Sequence, residues 1–493
     1  MSPINSRQYG AHLTLTNNPQ GAESVERRSG AKGNAEQPHM RRTQSRESMS
    51  QRLSRVREAA KQRKKERFTA LFHLLTAEAL ENAFLSLSRK AAAGVDGVRW
   101  KDYAENLKVN IADLHRRLHQ GSYRAQPGRR HYIPKADGKQ RPLGIASLED
   151  KIVQYALVKI LNAVYENDFM GFSYGFRPGR SQHNALDALA TGLVRTNVNW
   201  VLDADISQFF DKVSHEWLIR FIEHRIGDQR VIRLIRKWLT AGTSEEGEWR
   251  ASEEGTPQGA VISPLLANIY LHYVFDLWAH QWRRRHATGN VVMVRYADDI
   301  VIGFDKRIDA QCFRIAMQRR LKEFGLTVHP KKTRLMEFGR FAAENRASRG
   351  KGKPETFNFL GFTHISGKDR SGRFMLIRKT RRDRMTATLK AIKDGLRKRW
   401  HYSIPEQGKW LRRVVQGYLN YHSVPGNYPM MRKFRIYVTD LWRRALRRRS
   451  QQDDTTWTKA NRLAAVWLPK VRVLHPWPVE RFTARHPRQE PGA

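Results

Sequence analysis

Two adjacent carboxylates, Asp298 and Asp299, sit inside an otherwise apolar stretch, VVMVRYADDIVIGF, at residues 291–304. A second stretch, NWVLDADISQFF at 199–210, carries Asp203 and Asp205. Neighbouring carboxylates repel one another, and solvent, protons or cations relieve the repulsion. Asp is common in solvated turns, but acids drawn from two apolar segments suit a further use. Divalent ions held about 3.5 to 4 Å apart by carboxylates serve phosphoryl transfer, one lowering the pKa of an attacking hydroxyl and the other neutralising the leaving group. The candidate chemistry is two-metal phosphoryl transfer on Asp298, Asp299 and the upstream acids.

That chemistry needs elements that bring the two segments together. In 291–304, β-branched apolar runs flank Ala297-Asp298-Asp299, which predicts a hairpin with the carboxylates at its tip. In 199–210, Trp200, Leu202, Ala204 and Ile206 alternate with Val201, Asp203 and Asp205, which predicts a strand with both acids on one face. Beside the hairpin, this strand would deliver its acids to Asp298 and Asp299. Periodicity does not separate Asp203 from Asp205 as the ligand.

Charge points to the partner. The 493 residues carry 90 Lys+Arg against 47 Asp+Glu, a formal net charge of +43. Such an excess repels itself unless a polyanion neutralises it, so RNA or DNA is the expected partner. No apolar run approaches the roughly 18 residues of a membrane span, and no membrane partner is expected. The length suits about two to four domains. The single cysteine, Cys312, excludes a disulfide scaffold and a Cys-based zinc site, which fits a reducing cytoplasm; it is expected to be a packing residue.

Seven motifs follow in order: IPKADGKQRPLGI (133–145), FSYGFRPGRS (172–181), DADISQFFD (203–211), GTPQGAVISPLLANIYL (255–271), YADD (296–299), HPKKT (329–333) and FNFLGF (357–362). The series resembles the successive blocks of a reverse transcriptase, in particular the bacterial group II intron-encoded reverse transcriptase/maturases. The resemblance runs from about residue 68 to the C-terminus. It implies that Asp205, by its spacing to Phe209-Phe210, joins Asp298 and Asp299 in holding two Mg²⁺ ions, with Ile206 in the metal set. Phe210 would be a steric gate against the 2′-hydroxyl of an incoming nucleotide, with Phe209 in the core. Lys332, rather than its neighbour Lys331, would stand near the leaving pyrophosphate as a proton donor. Gln258, between glycines that let backbone approach a duplex closely, would contact the nascent base pair or template strand.

In chain order, residues 1–66 are expected to form a basic, largely disordered arm in which 52–65 becomes helical on RNA, with order beginning at Phe68. Thr76 should cap a helix bearing Leu80, Ala83, Phe84 and Leu87 on one face. The segment 132–145 reads as a hairpin turning at Asp137-Gly138, with Lys135 and Arg141 placed to grip the triphosphate of a dNTP. Ser147 and Ser214 should cap further helices, and a long apolar helix should run through Leu265, Ile269 and Tyr273. By the resemblance, Arg177 and Arg180 contact template RNA, and FNFLGF is a hinge strand closing the palm.

Beyond residue 366 the pattern becomes basic helices. The third of them sets Phe434, Tyr437, Val438, Leu441, Trp442, Ala445 and Leu446 on one face and Lys433, Arg443, Arg444, Arg447 and Arg448 outward. These helices resemble the family's thumb, or domain X, where maturases grip intron RNA. The tail, 451–493, resembles a small DNA-contacting appendage, and no His-Asn-His endonuclease motif is seen in it. The expected fold is α+β: a right-hand polymerase with fingers and antiparallel-sheet palm over 67–365 and an all-helical thumb over 366–450. The expected function is RNA-directed DNA polymerisation combined with intron maturation in the cytoplasm. Its partners would be group II intron RNA, an RNA template with DNA primer, target DNA and dNTPs. The alternatives are a stand-alone reverse transcriptase and a non-enzymatic splicing factor with a relic palm.

Overall fold

Strand β3 (Trp200–Asp205) alternates as its sequence dictates. Leu202 and Ala204 enter the largest core, while Val201 enters a second core on the opposite face. A computed structural model describes residues 48–134, 140–449 and 455–485 of this chain. Along them, β1 (Gly128–Pro134) pairs antiparallel with β2 (Gln140–Ile145), and the short hairpin of β4 (Thr243–Glu245) and β5 (Glu248–Arg250) extends that sheet through a parallel β1–β4 contact. The central sheet has the order β6-β7-β3-β8, formed by Val291–Tyr296, Asp299–Phe304, Trp200–Asp205 and Arg334–Glu337. All its pairings are antiparallel. A third sheet contains β9 (Phe357–Phe359), β10 (Phe362–Lys368) and β11 (Phe374–Thr380). With helices packed on these sheets, the chain is a mixed α+β fold.

The central sheet lies between two apolar layers. One face, through Leu202, Ile300, Ile302 and Phe304, packs on helices that include Leu148–Tyr165 and Ser263–Leu271. The other, through Val201, Val294, Val301 and Met336, packs on helix Gln182–Arg195 and on Phe357, Phe359 and Phe362. A separate all-helical core unites helices Arg382–Arg397, Ile404–His422, Tyr428–Arg447 and Trp457–Trp467. Its centre is Trp442, 1% exposed, whose Nε1–H donates to Gln407 Oε1 at 2.9 Å. Truncating such a residue to Ala costs about 3–5 kcal/mol.

The caps behave as local chemistry requires. The side chains of Thr76, Ser147 and Ser214 accept from the backbone N–H groups of Ala79, Asp150 and Trp217. Four expectations are corrected, the first being Cys312, which was expected to pack and is exposed. The basic segment expected to fold only on RNA contains helix Met49–Gln62, started by a Ser48 capping box, with Ala60 fully buried in the main core. FNFLGF is two strands, because Leu360 and Gly361 take φ of 44° and 79° and turn the chain back on itself. Past residue 366 the chain makes β11 before its basic helices begin. Among the described residues no helix is long and apolar enough to cross a membrane.

Candidate active site

The β6–β7 hairpin turns through Ala297 and Asp298, with Tyr296 paired to Asp299. Ala297 takes a φ of 56°, a left-handed conformation that costs an L-residue roughly 1–2 kcal/mol. On the other side of β7, the antiparallel register sets Asp205 directly opposite Asp299. Three of the expected carboxylates thus share one end of the sheet. Asp203 lies two positions further in, opposite Val301 and Arg334.

The acids feel one another. Burial first, then the carboxylates of Asp298, Asp205 and Asp203, push the Asp299 carboxyl up to about 7, even though its outer edge meets solvent. Burial also raises Asp298 and takes Asp203 to about 6. A cation is already drawn in: Lys332 Nζ lies 2.8 Å from Asp205 Oδ2, and this hydrogen bond raises the lysine pKa. With the lysine side chain 64% exposed, solvent screens the pair to about 0–1 kcal/mol.

The donors suit Mg²⁺, a hard cation that takes oxygen ligands and is commonly held by one or two carboxylates together with substrate phosphates. Among the described residues no three His, Cys, Asp or Glu side chains are gathered into a group that could by itself hold a metal ion. Ile206, with its side chain buried and 2% exposed, has only its backbone carbonyl to offer.

Past β3 the chain makes the short 3-10 turn Phe209–Asp211. Phe209 is 2% exposed in the main core, whereas Phe210 is half-buried. Gln258 Nε2–H donates to Asp211 Oδ1 at 3.2 Å, close to Phe210, whose carbonyl accepts from Thr256 N–H at 2.7 Å. Arg141 is exposed on β2, and its charge acts on Asp298. Lys135 and the Asp137-Gly138 turn lie outside the described residues. The glycines beside Gln258 serve the protein's own backbone. A Cβ on Gly255 would stand 2.9 Å from Phe210 O, and one on Gly259 2.9 Å from Gly144 O. This close packing by itself requires glycine at both positions.

Three arginines expected to bind RNA are otherwise engaged. The Arg177 side chain is 2% exposed and pairs with Glu166 at 2.9 Å. Its Nη1 donates to the carbonyls of Met170 and Ser173, and its guanidinium lies over Phe169. Arg180, half-buried, donates to the carbonyls of Gly171 and Ser173. Arg443 folds onto Asp440 and Trp457 and is 16% exposed. Lys433, Arg444, Arg447 and Arg448 are exposed as expected, although Arg444 also pairs with Asp440. Tyr437, expected on the apolar face, is 40% exposed.

The sequence reading passed over Arg295, Asp276 and Asn268. All three are buried behind the hairpin tip, and an arginine inside a valine-rich strand was the available signal.

Residues 133–364 match the family model described as reverse transcriptase (RNA-dependent DNA polymerase). Over these residues the chain is similar to that family. Its relatives include Protein YkfC of Escherichia coli (strain K12), 43% identical over 206 residues, covering 41% of this chain and 54% of that protein. The Group II intron-encoded protein LtrA of Lactococcus lactis subsp. cremoris is 37% identical over 223 residues, covering 45% of this chain and 37% of that protein. Nuclear intron maturase 2, mitochondrial, of Arabidopsis thaliana is 29% identical over 110 residues, 22% of this chain and 15% of that protein. The matched segment spans about half of the first relative's length and less of the other two.

Proposed function

We propose that this protein is an RNA-directed DNA polymerase that also binds group II intron RNA and promotes its splicing and mobility. The reading rests above all on the register that sets Asp205 opposite Asp299, with Asp298 at the adjoining turn. Asp205, Asp298, Asp299 and the Ile206 carbonyl would hold Mg²⁺. The chemistry that Mg²⁺ supplies when bound there is activation of a primer 3′-hydroxyl and neutralisation of the leaving pyrophosphate. Phe210 excludes the 2′-hydroxyl, Arg141 and Lys135 grip the triphosphate, and Gln258 contacts the nascent pair. Lys332, released from Asp205, gives a proton to the leaving group.

In this reading residues up to about 365 form fingers and palm, and 366–450 the thumb. Residues 451–493 are an appendage near target DNA. The protein works in the cytoplasm with intron RNA, an RNA template, a DNA primer and dNTPs. Intron chemistry belongs to the ribozyme, so splicing needs RNA binding, whereas polymerisation also needs the aspartates.

The test scores spliced exons and cDNA from the same reactions, using the intron RNA that flanks the gene. Asp298→Ala/Asp299→Ala is expected to abolish cDNA while splicing at low magnesium persists. Replacing Arg444, Arg447 and Arg448 together should weaken both activities and reduce the log–log salt slope of RNA binding by about 0.7–0.9 per lost phosphate contact. Loss of splicing by an aspartate variant that binds RNA normally would overturn the division of labour. A wild type that extends primers but never splices would favour a stand-alone reverse transcriptase.

A further inference from the structure

Behind the acids lies a fully buried ion pair. The side chains of Arg295 on β6 and Asp276 are both 0% exposed, and they meet through two parallel bonds, Nε to Oδ1 at 2.7 Å and Nη2 to Oδ2 at 2.6 Å. The other donors of the guanidinium are also used. Nη2 donates to Ser173 Oγ at 2.7 Å, and Nη1 donates to Asn268 Oδ1 at 3.1 Å and to the Ala297 carbonyl at 3.0 Å. All five N–H groups that an arginine owns have partners. Asn268 in turn donates to the Gly175 carbonyl at 2.7 Å, and Gly175 packs so closely on Ala297 that a Cβ there would collide with the Ala297 nitrogen.

The helix is shaped to present this set. Asn268 and Asp276 are eight positions apart, and in a regular helix they would lie about 80° from each other around the axis. The π-turn His272–Asp276 absorbs one residue and brings them to within about 20°, both aimed at Arg295. The one backbone carbonyl this guanidinium holds belongs to the strained left-handed residue immediately before Asp298.

We propose that Arg295, Asp276 and Asn268 form a positioning clamp, which fixes the Ala297 peptide from inside the core and thereby sets the Asp298 and Asp299 carboxylates for polymerisation. The proposal rests on the polymerase reading for its catalytic consequence. Its geometric content, that the clamp holds the carboxylates in register for a cation, stands apart from that reading.

A merely structural ion pair and a positioning clamp respond differently to apolar replacement. Exchanging a buried pair for hydrophobic residues of similar volume is often neutral for stability, but methionine and leucine cannot hold the Ala297 carbonyl. The double variant Arg295→Met/Asp276→Leu and the charge-conserving Arg295→Lys are compared with wild type by thermal melting, by Mn²⁺ titration followed by electron paramagnetic resonance, and by single-nucleotide primer extension. The double variant, which leaves Asn268 Oδ1, Ser173 Oγ and the Ala297 carbonyl without the guanidinium, is expected to melt lower than wild type but to stay folded at the assay temperature, and to bind Mn²⁺ at least tenfold more weakly. Its kcat should fall 10- to 100-fold, as a displacement of about 1 Å produces, with KM for the nucleotide changed less than twofold. Arg295→Lys, which leaves Asp276 a partner, should show the same split with a smaller loss of Tm. Wild-type Mn²⁺ affinity and kcat in either folded variant would overturn the clamp. A wild type that binds Mn²⁺ but extends no primer would overturn the polymerase reading, and the Mn²⁺ comparison would still decide the clamp.

Discussion

Replacing Arg177 separates two fates for one arginine. If its guanidinium gripped template phosphate, Arg177→Met would leave folding intact and weaken RNA binding. The structure demands the reverse. The side chain is 2% exposed, spans the Glu166 carboxylate and satisfies the Met170 and Ser173 carbonyls at 2.8 and 2.9 Å. Breaking a buried pair from one side costs about 3–5 kcal/mol. Glu166 is 21% exposed and recovers some hydration, and Arg180 still donates to the Ser173 carbonyl. The lower value, about 3 kcal/mol, is therefore expected. At about 2–4 °C per kcal/mol for a large domain, Tm should drop by about 6–12 °C. Adding Glu166→Gln should recover part of the loss, because the stranded charge is gone. The companion assay is filter binding of intron RNA between about 50 and 200 mM salt, below the variant's melting range. An unchanged salt slope is expected. A slope smaller by about 0.7–0.9 with an unchanged Tm would mean that Arg177 meets phosphate and that the structural assignment is wrong.

Two further outcomes follow from the same geometry. Phe210→Val should raise ribonucleotide relative to deoxynucleotide incorporation on one template, whereas Phe209→Val should leave sugar choice alone and lower stability by about 1–3 kcal/mol; equal selectivity in all three proteins would return Phe210 to the core. Burial depresses His364 to about 3 and His272 and His422 to about 4, below the ordinary 6.5. The unfolded chain therefore takes up protons that the folded one refuses, so stability is full above about pH 6.5 and falls as pH drops toward 4. His364, fully buried with its ring stacked 4.8 Å from Phe357, accounts for about 2 kcal/mol of that loss at pH 5. In urea unfolding, His364→Phe should shrink the difference between pH 7 and pH 5 by about that amount. An unaltered difference would exclude His364 as a source of the acid sensitivity.

Features set by neighbours in the chain were legible from the residues alone. The hairpin around Asp298 and Asp299 follows from two β-branched runs with a break between them, and the caps at Thr76, Ser147 and Ser214 from hydroxyls placed before apolar helical periods. The alternation of Leu202 and Ala204 with Asp203 and Asp205 likewise assigned the faces of β3 before any partner was known. Each of these depends on contacts within a few residues, whose energetics local propensity and period capture.

Register and the fate of individual cations were decided only by the assembled fold. Asp205 meets Asp299 because β7 lies between β6 and β3, a choice made by packing on two cores rather than by either segment. Gly255 and Gly259 look free to approach a ligand until Phe210 and Gly144 arrive from distant parts of the chain. An arginine reads the same in a string of letters whether it will face phosphate or a buried acid. Arg177 and Arg295 became internal braces because Glu166 and Asp276 were carried to them, at a depth where desolvation makes an unpaired guanidinium too costly to keep.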